Sequence, residues 1–165
     1  LFQSQNVAEA RIYGAEFDAR VDVSAWSPRL AGWSGRLAGS WIRGDDLTRD
    51  VPLNSIDPPR LVLGMRYDAP STRWGSELAL TAVEAQREVD RSRADLYRTD
   101  GYATLDWLAN VNITPRLRLN IGLFNLTDTE YIEWSDVRGS VADDPLVPYY
   151  TRAVFNVSAS LRYDF

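Results

Sequence analysis

The sequence predicts an all-β fold in which antiparallel strands form part of a transmembrane β-barrel. Apolar and polar residues alternate over seven stretches of about ten residues, the length that crosses a bilayer as a tilted strand. The connections between these stretches alternate between short and long, as in barrels with short turns on one side of the membrane. No stretch approaches the roughly 18 apolar residues of a membrane-spanning helix.

The amino-acid composition alone argues against several classes of function. The 165 residues include no Cys and no His, all 18 basic residues are Arg, and the net charge is −5. Without thiols or imidazoles the chain lacks the usual zinc ligands and the commonest general base, so we expect no enzyme, no catalytic residues, no metal site and no cofactor. An acidic balance also argues against a nucleic-acid partner.

Each predicted strand has one apolar and one polar face, because successive side chains point to opposite sides. In the second strand, Trp33 and Trp41 mark the two ends of the apolar face and resemble an aromatic girdle. Charges of both signs on the polar faces suit a water-filled interior. The predicted strands are Arg11–Val23, Trp33–Ile42, Arg60–Asp68, Trp74 to about Arg87, Tyr102–Ile113, Arg116–Leu126 and Thr151–Phe165.

The last strand is the clearest of the seven. Its apolar face carries aromatic residues near both ends, and the chain stops on Phe165 after Tyr163. It resembles the closing strand of bacterial outer-membrane barrels, which implies that Tyr163 and Phe165 belong to the signal read by the barrel assembly machinery. On this segment alone, an amphipathic strand of a soluble sandwich is the alternative.

The connections run short, long, short, long, short, long. They are approximately Ala25–Gly32, Arg43–Pro58, Ala69–Thr72, Glu88–Gly101, Thr114–Pro115 and Thr127–Tyr150. Over Val83–Tyr97 a solvated helix stays open as an alternative. Seven strands do not close a barrel, since an open edge in lipid is costly. Either Leu1–Asn6 is the stub of an eighth strand, or the chain is the carboxyl-terminal third of a larger barrel, which its abrupt start favours.

Several motifs resemble TonB-dependent receptors. Asn6–Glu16 resembles a barrel segment of that family in which an extended, loop-like stretch of chain precedes a strand that carries the sequence Gly-x-Glu. Asn120–Tyr131 resembles the penultimate-strand motif, an Asn-Leu-(Thr/Phe)-Asp-x-x-Tyr signature, and Arg162–Phe165 fits the last strand. Pro52–Leu61 and Ile132–Gly139 are similar to the haem, haemoglobin, transferrin and lactoferrin branch.

This resemblance implies a 22-stranded barrel in the bacterial outer membrane, of which residues 1–165 form the carboxyl-terminal segment. The amino-terminal plug domain is not in this sequence. The implied function is uptake of a scarce nutrient, such as haem or an iron complex, with energy supplied by TonB. The implied partners are outer-membrane lipid, the remaining barrel and plug, TonB, the assembly machinery and a cargo such as haem, haemoglobin or a siderophore.

The long connection before the last strand is the candidate ligand site. Aromatic and Arg side chains supply much interfacial energy, so the candidate ligand-binding residues are Tyr131, Trp134, Arg138, Tyr149 and Tyr150. For Tyr131 and Trp134, a place in the aromatic girdle is the favoured alternative.

Other polar residues have structural interpretations. The acidic pairs Asp45–Asp46 and Asp143–Asp144 could bind calcium, although solvated loop acids are the simpler interpretation. Asn125 and Asp128 are typical turn-forming residues at a strand end.

Two other classes of protein remain open at this point. One is a small, self-contained eight-stranded outer-membrane barrel that acts as an adhesin or anchor. The other is a soluble lipocalin-type barrel, which keeps its apolar face inside. The side chains of Trp41, Trp107 and Leu119 would face lipid in either membrane barrel and line a cavity in the soluble one.

Overall fold

The structure, a computed structural model, describes residues 9–92 and 94–165. Short helical turns interrupt the connections, among them α1 (Trp134–Val137). Within the described ranges, no helix combines the length and the hydropathy needed to cross a membrane. The strands are β1 (Ala10–Asp22), β2 (Trp33–Asp46), β3 (Val51–Pro52), β4 (Arg60–Asp68), β5 (Trp74–Val83), β6 (Tyr102–Thr114), β7 (Leu117–Phe124) and β8 (Asn156–Tyr163).

The strands form one antiparallel sheet in which neighbours follow chain order. The order is β1-β2-β4-β5-β6-β7-β8, and β3 pairs with the end of β2. In the described part of the chain β1 and β8 pair with different neighbours and not with each other, so the sheet is open. The predicted all-β class and all seven predicted strands are confirmed.

The main differences from the sequence prediction are three strand boundaries and one additional strand. β2 continues through the polar residues Arg43–Asp46, because β1 pairs with it up to Asp46. β3, which the sequence prediction missed, pairs with that extension. β5 ends at Val83, and the described residues between 83 and 97 form no helix. β8 begins at Asn156 rather than Thr151, because the Phe155 backbone amide donates to the Asp128 carboxylate at 3.0 Å and not to the sheet.

The strand register gathers the apolar residues on one face. A single row of paired residues crosses all seven long strands, and its members include the exposed side chains of Met65 and Val157. The row consists of Val21, Gly35, Met65, Leu78, Trp107, Leu123 and Val157. Because this face remains uncovered by the chain itself, it is suited to contact with lipid.

Aromatic side chains border the apolar face at both ends. Near the short turns, the ring centroid of Tyr67 lies 5.0 Å from that of Trp33 and 5.1 Å from that of Trp74. The rings of Tyr13 and Trp41 lie 5.9 Å apart near the other end. At about 3.3 Å per residue, Trp33 and Trp41 are separated by roughly 26 Å along β2. A strand tilt of about 40° reduces this to about 20 Å along the membrane normal, close to the usual apolar band of about 25 Å.

Candidate functional site: the loop cap

The three long connections emerge at the same end of the sheet. They comprise residues 47–59, 84–101 and 125–155, and we call them together the loop cap. Because consecutive strands run in opposite directions, the shorter connections 23–32, 69–73 and 115–116 lie at the other end. The predicted alternation of short and long connections is therefore confirmed.

The loop cap has a hydrophobic core of its own. Trp134 and Val137 from α1 are 3% and 0% exposed, and Val89 and Val147 pack with them. Leu96, Tyr97 and Ile132 surround this cluster. The apolar surface that the chain buries thus lies mainly in the cap, since the apolar face of the sheet is left for lipid.

Hydrogen bonds accepted by Asn54 join all three cap segments. The Trp134 indole N–H donates to the Asn54 carbonyl at 3.0 Å. The backbone N–H of Asp90 donates to the Asn54 side-chain oxygen at 2.7 Å. Asn54 thereby fixes α1 and the segment 84–101 to the segment 47–59, which makes the cap one packed unit.

Ion pairs also connect these segments near the edge of the cap. Arg49 donates to Asp46 at 2.6 Å and to Asp90 at 3.2 Å. Asp46 is only 1% exposed, and its hydrogen bond to Arg49 raises the pKa of that guanidinium. Arg138 donates to Asp57 at 2.7 Å. The Arg49 pairs are largely shielded from solvent, whereas Asp57 is exposed, and exposed pairs contribute little to stability.

A second group of polar and aromatic residues lies where the cap meets the polar face of the sheet. Arg152 contacts Glu133 at 3.0 Å and Asp136 at 2.8 Å, and the Glu133 charge raises the pKa of Arg152. The ring of Tyr131 stacks on that of Tyr102, with centroids 4.0 Å apart and planes 21° apart. Burial raises the pKa of the Tyr131 phenol above its ordinary value.

The five candidate ligand-binding residues divide into two groups. Tyr131, Trp134 and Arg138 are partly or fully buried within the cap. Tyr149 and Tyr150 are 84% and 42% exposed on its surface. The girdle interpretation of Trp134 is wrong, because other cap residues enclose the indole.

The Asn125–Asp128 turn is structural, as the sequence predicts. Both residues have positive φ, 53° and 52°. Asn125 is 4% exposed; its side-chain N–H donates to the Thr129 carbonyl at 2.8 Å, and its side-chain oxygen accepts from the Thr129 N–H at 3.1 Å. Its own backbone N–H donates to Asp106 at 2.8 Å. These bonds fix where the segment 125–155 leaves β7.

Arginines engage both members of the acidic pair Asp45–Asp46. Asp45 pairs with Arg11 at 3.0 Å, whereas the neighbouring Asp46 pairs with Arg49 on the other side of the strand. In residues 9–92 and 94–165, no three acidic side chains are placed to share a metal ion. For Asp46 the solvated interpretation is also wrong, because its carboxylate is buried and accepts hydrogen bonds from the backbone of the following turn.

The polar face of the sheet carries a network of charged side chains. Arg36 donates to both oxygens of Asp18, at 3.2 and 2.8 Å. Arg66 contacts Asp68 at 2.6 Å and Glu77 at 3.3 Å. Sequence patterning places these residues on one face, but their pairing depends on the register between strands.

Comparison with known proteins identifies the family. The family model described as TonB dependent receptor-like, beta-barrel matches residues 1–126. The chain belongs to this family. The predicted resemblance and the predicted location in the bacterial outer membrane are therefore confirmed.

Curated relatives resemble the chain over most of its length. It is 28% identical over 149 residues to the probable hemoglobin and hemoglobin-haptoglobin-binding protein 4 of Haemophilus influenzae, an alignment that covers 84% of this chain and 15% of the relative. It is 29% identical over 154 residues to hemoglobin-haptoglobin utilization protein B of Neisseria meningitidis serogroup C, covering 84% and 18%. The chain thus spans under a fifth of the length of these relatives.

Solved structures share the fold. The copper transporter OprC superposes with a TM-score of 0.78 at 19% identity, over 94% of this chain and 23% of that one. The ferric yersiniabactin uptake receptor FyuA from Yersinia pestis gives a TM-score of 0.63 at 20% identity, over 94% and 24%. The sheet therefore matches a sector of the wall of a larger TonB-dependent receptor barrel.

Proposed function

We propose that this chain supplies part of the wall and outer loops of a receptor that takes up haem iron from haemoglobin with energy from TonB. The curated relatives, whose names record haemoglobin binding, support the choice of cargo. The observation that carries the proposal is the packed loop cap at one end of a sheet with a lipid-compatible face. Such a cap presents a fixed surface to a protein cargo outside the cell.

Direct contact with the cargo is assigned to Tyr149 and Tyr150. Both lie in a short 3₁₀ turn, Val147–Tyr150, whose Val147 side chain is buried in the cap core. This anchoring orders the turn before binding and reduces the entropy lost on contact. Trp134 and Arg138 are assigned a supporting role, because they hold the cap segments together, whereas Tyr131 stacks on Tyr102 where the cap meets the sheet.

The remaining partners follow from the open sheet. The edges at β1 and β8 are proposed to pair with further strands of the same barrel, because unpaired edges are costly in lipid. The charged face is proposed to face the plug domain of the intact receptor. Tyr163 and Phe165, whose ring centroids lie 5.2 Å apart, are proposed to be the residues read by the assembly machinery.

The experiment uses the intact receptor in cells that have haemoglobin as their only iron source. Replacing Tyr149 and Tyr150 together by alanine should weaken haemoglobin binding by about tenfold or more, since aromatic anchors often contribute over about 1 kcal/mol each. Trp26→Ala is the matched control, because this aromatic is 74% exposed but lies at the opposite end of the sheet. Wild-type cells that neither bind haemoglobin nor grow on it would refute the proposed cargo.

A further inference from the structure

Arg60 lies on the polar face of the sheet, as Arg36 and Arg66 do, but its guanidinium is unpaired in the described part of the chain. Arg36 and Arg66 are paired with carboxylates. Arg60 opens β4 at the cap end, and its cross-strand neighbours on either side are Ser40 and Val83, neither of which carries a charge. Across residues 9–92 and 94–165, no ion pair or hydrogen bond engages its guanidinium.

Three adjoining cavities share Arg60, and two of them are also lined by residues of the loop cap. One, of about 380 Å³, is also lined by Tyr102, Tyr131 and Arg152. The second reaches Trp134 in the cap, and the third extends along the polar face. Arg60 thus lies at the boundary between the cavities below the cap and the polar face of the sheet.

The chemistry of this space favours an anionic ligand group. A guanidinium presents a planar set of N–H donors that matches the two oxygens of a carboxylate. Of the two acids that line the same cavity, Glu133 forms an ion pair with Arg152, whereas Asp106 accepts a hydrogen bond from the backbone N–H of Asn125 and forms no ion pair with Arg60. Arg60 is therefore the cation that remains available there.

The stacked tyrosines complete the arrangement. The side-chain hydroxyls of Tyr102 and Tyr131 make no hydrogen bond within the described ranges, and both line the cavity with Arg60. The phenol of each tyrosine can donate a hydrogen bond to an anion. A carboxylate beside Arg60 would have phenolic donors within the same cavity.

We propose that Arg60, with Tyr102 and Tyr131, forms a subsite for a carboxylate group of a small-molecule cargo below the loop cap. The inference rests on the proposed function, because it takes cargo to enter from the cap side. A carboxylate of the plug domain is the competing occupant. Cargo is favoured because Arg60 lies in the strand row nearest the cap and its cavity is closed partly by cap residues.

The test compares haem, which carries two propionate carboxylates, with its dimethyl ester on the purified intact receptor. Arg60→Gln should weaken haem binding by about tenfold, equivalent to about 1.4 kcal/mol. The ester should bind the wild-type receptor about as weakly as haem binds Arg60→Gln. The substitution Arg60→Gln should not weaken binding of the ester any further. Arg73→Gln is the control, since this arginine lies in a short turn at the opposite end and has no side-chain ion pair in the described part of the chain.

Equal loss of haem and ester binding in Arg60→Gln would overturn the subsite, as would unchanged haem binding. A second result would also overturn the subsite: the ligand-free variant has a lower thermal midpoint, but the ratio of its haem affinity to its ester affinity equals that of the wild type. That result would assign Arg60 to contact with the plug domain. Citrate provides a readout that does not depend on haem as cargo. It should raise the thermal midpoint of the wild type and not of Arg60→Gln, which would support the subsite even if haem and haemoglobin failed to bind. Absence of that difference would overturn it.

Discussion

Replacing Trp134 by alanine should open the loop cap while leaving the strands in place. The indole is 3% exposed in the cap core and donates a 3.0 Å hydrogen bond to the Asn54 carbonyl. Truncation of a buried Trp to Ala costs about 3–5 kcal/mol. If this cost falls on the equilibrium between closed and open cap, the open population should rise by about two to three and a half orders of magnitude.

Limited trypsin digestion of the intact receptor in detergent measures this population. The segment 84–101 contains Arg87, Arg91, Arg93 and Arg98, and cleavage after them requires the segment to detach from the cap. Under conditions in which opening is fast relative to cleavage, the cleavage rate follows the open population.

The matched variant Trp134→Phe retains an aromatic ring but loses the hydrogen bond to Asn54. The bond contributes about 1 kcal/mol, so cleavage should rise by about five- to tenfold. A cleavage rate of Trp134→Ala within threefold of the wild type would refute the view that this side chain holds the cap together.

Two further substitutions test the turn and the charged face. Asn125→Ala should lower stability by about 2–4 kcal/mol, because it removes buried hydrogen bonds and leaves alanine at positive φ. The thermal midpoint of heat-modifiable migration measures this, and Asn120→Ala, which loses one exposed bond, should change it far less; equal shifts would contradict the assignment. Gly14→Ala should cost about 1–3 kcal/mol by overpacking, since a Cβ there would lie 2.3 Å from the Trp41 backbone carbonyl oxygen. Gly64→Ala, with its nearest atom at 3.4 Å, is the control, and an equal effect of both would argue against crowding.

The strands were predictable because lipid and a polar interior impose an alternation with a period of two. That signal located every long strand, including β8 with its apolar series Val157, Ala159, Leu161 and Tyr163. It failed where both faces are polar. The end of β2, Arg43–Asp46, extends beyond the apolar band and is held by pairing with β1, so it lacks the alternation that marks a lipid-facing strand.

The loop cap was predictable as a location but not as a packed unit. Its core residues Val89, Trp134, Val137 and Val147 come from separate segments with no common spacing. The Asn125–Asp128 turn was recognised because Asn and Asp tolerate positive φ. The availability of Arg60 depends on which carboxylates its neighbours already hold, and sequence patterning carries no such information.

The central claim is that the apolar face of this sheet lies against lipid while the opposite face lies inside a barrel. These 165 residues contain no Cys, so in an intact receptor from which any cysteines elsewhere have been removed, single cysteines at the neighbouring positions Leu37 and Ala38 of β2 can carry nitroxide labels. We predict that lipid-dissolved oxygen relaxes the label at Leu37 more strongly than the label at Ala38. Equal oxygen access at both positions, or greater access at Ala38, would contradict the placement of the sheet in the membrane.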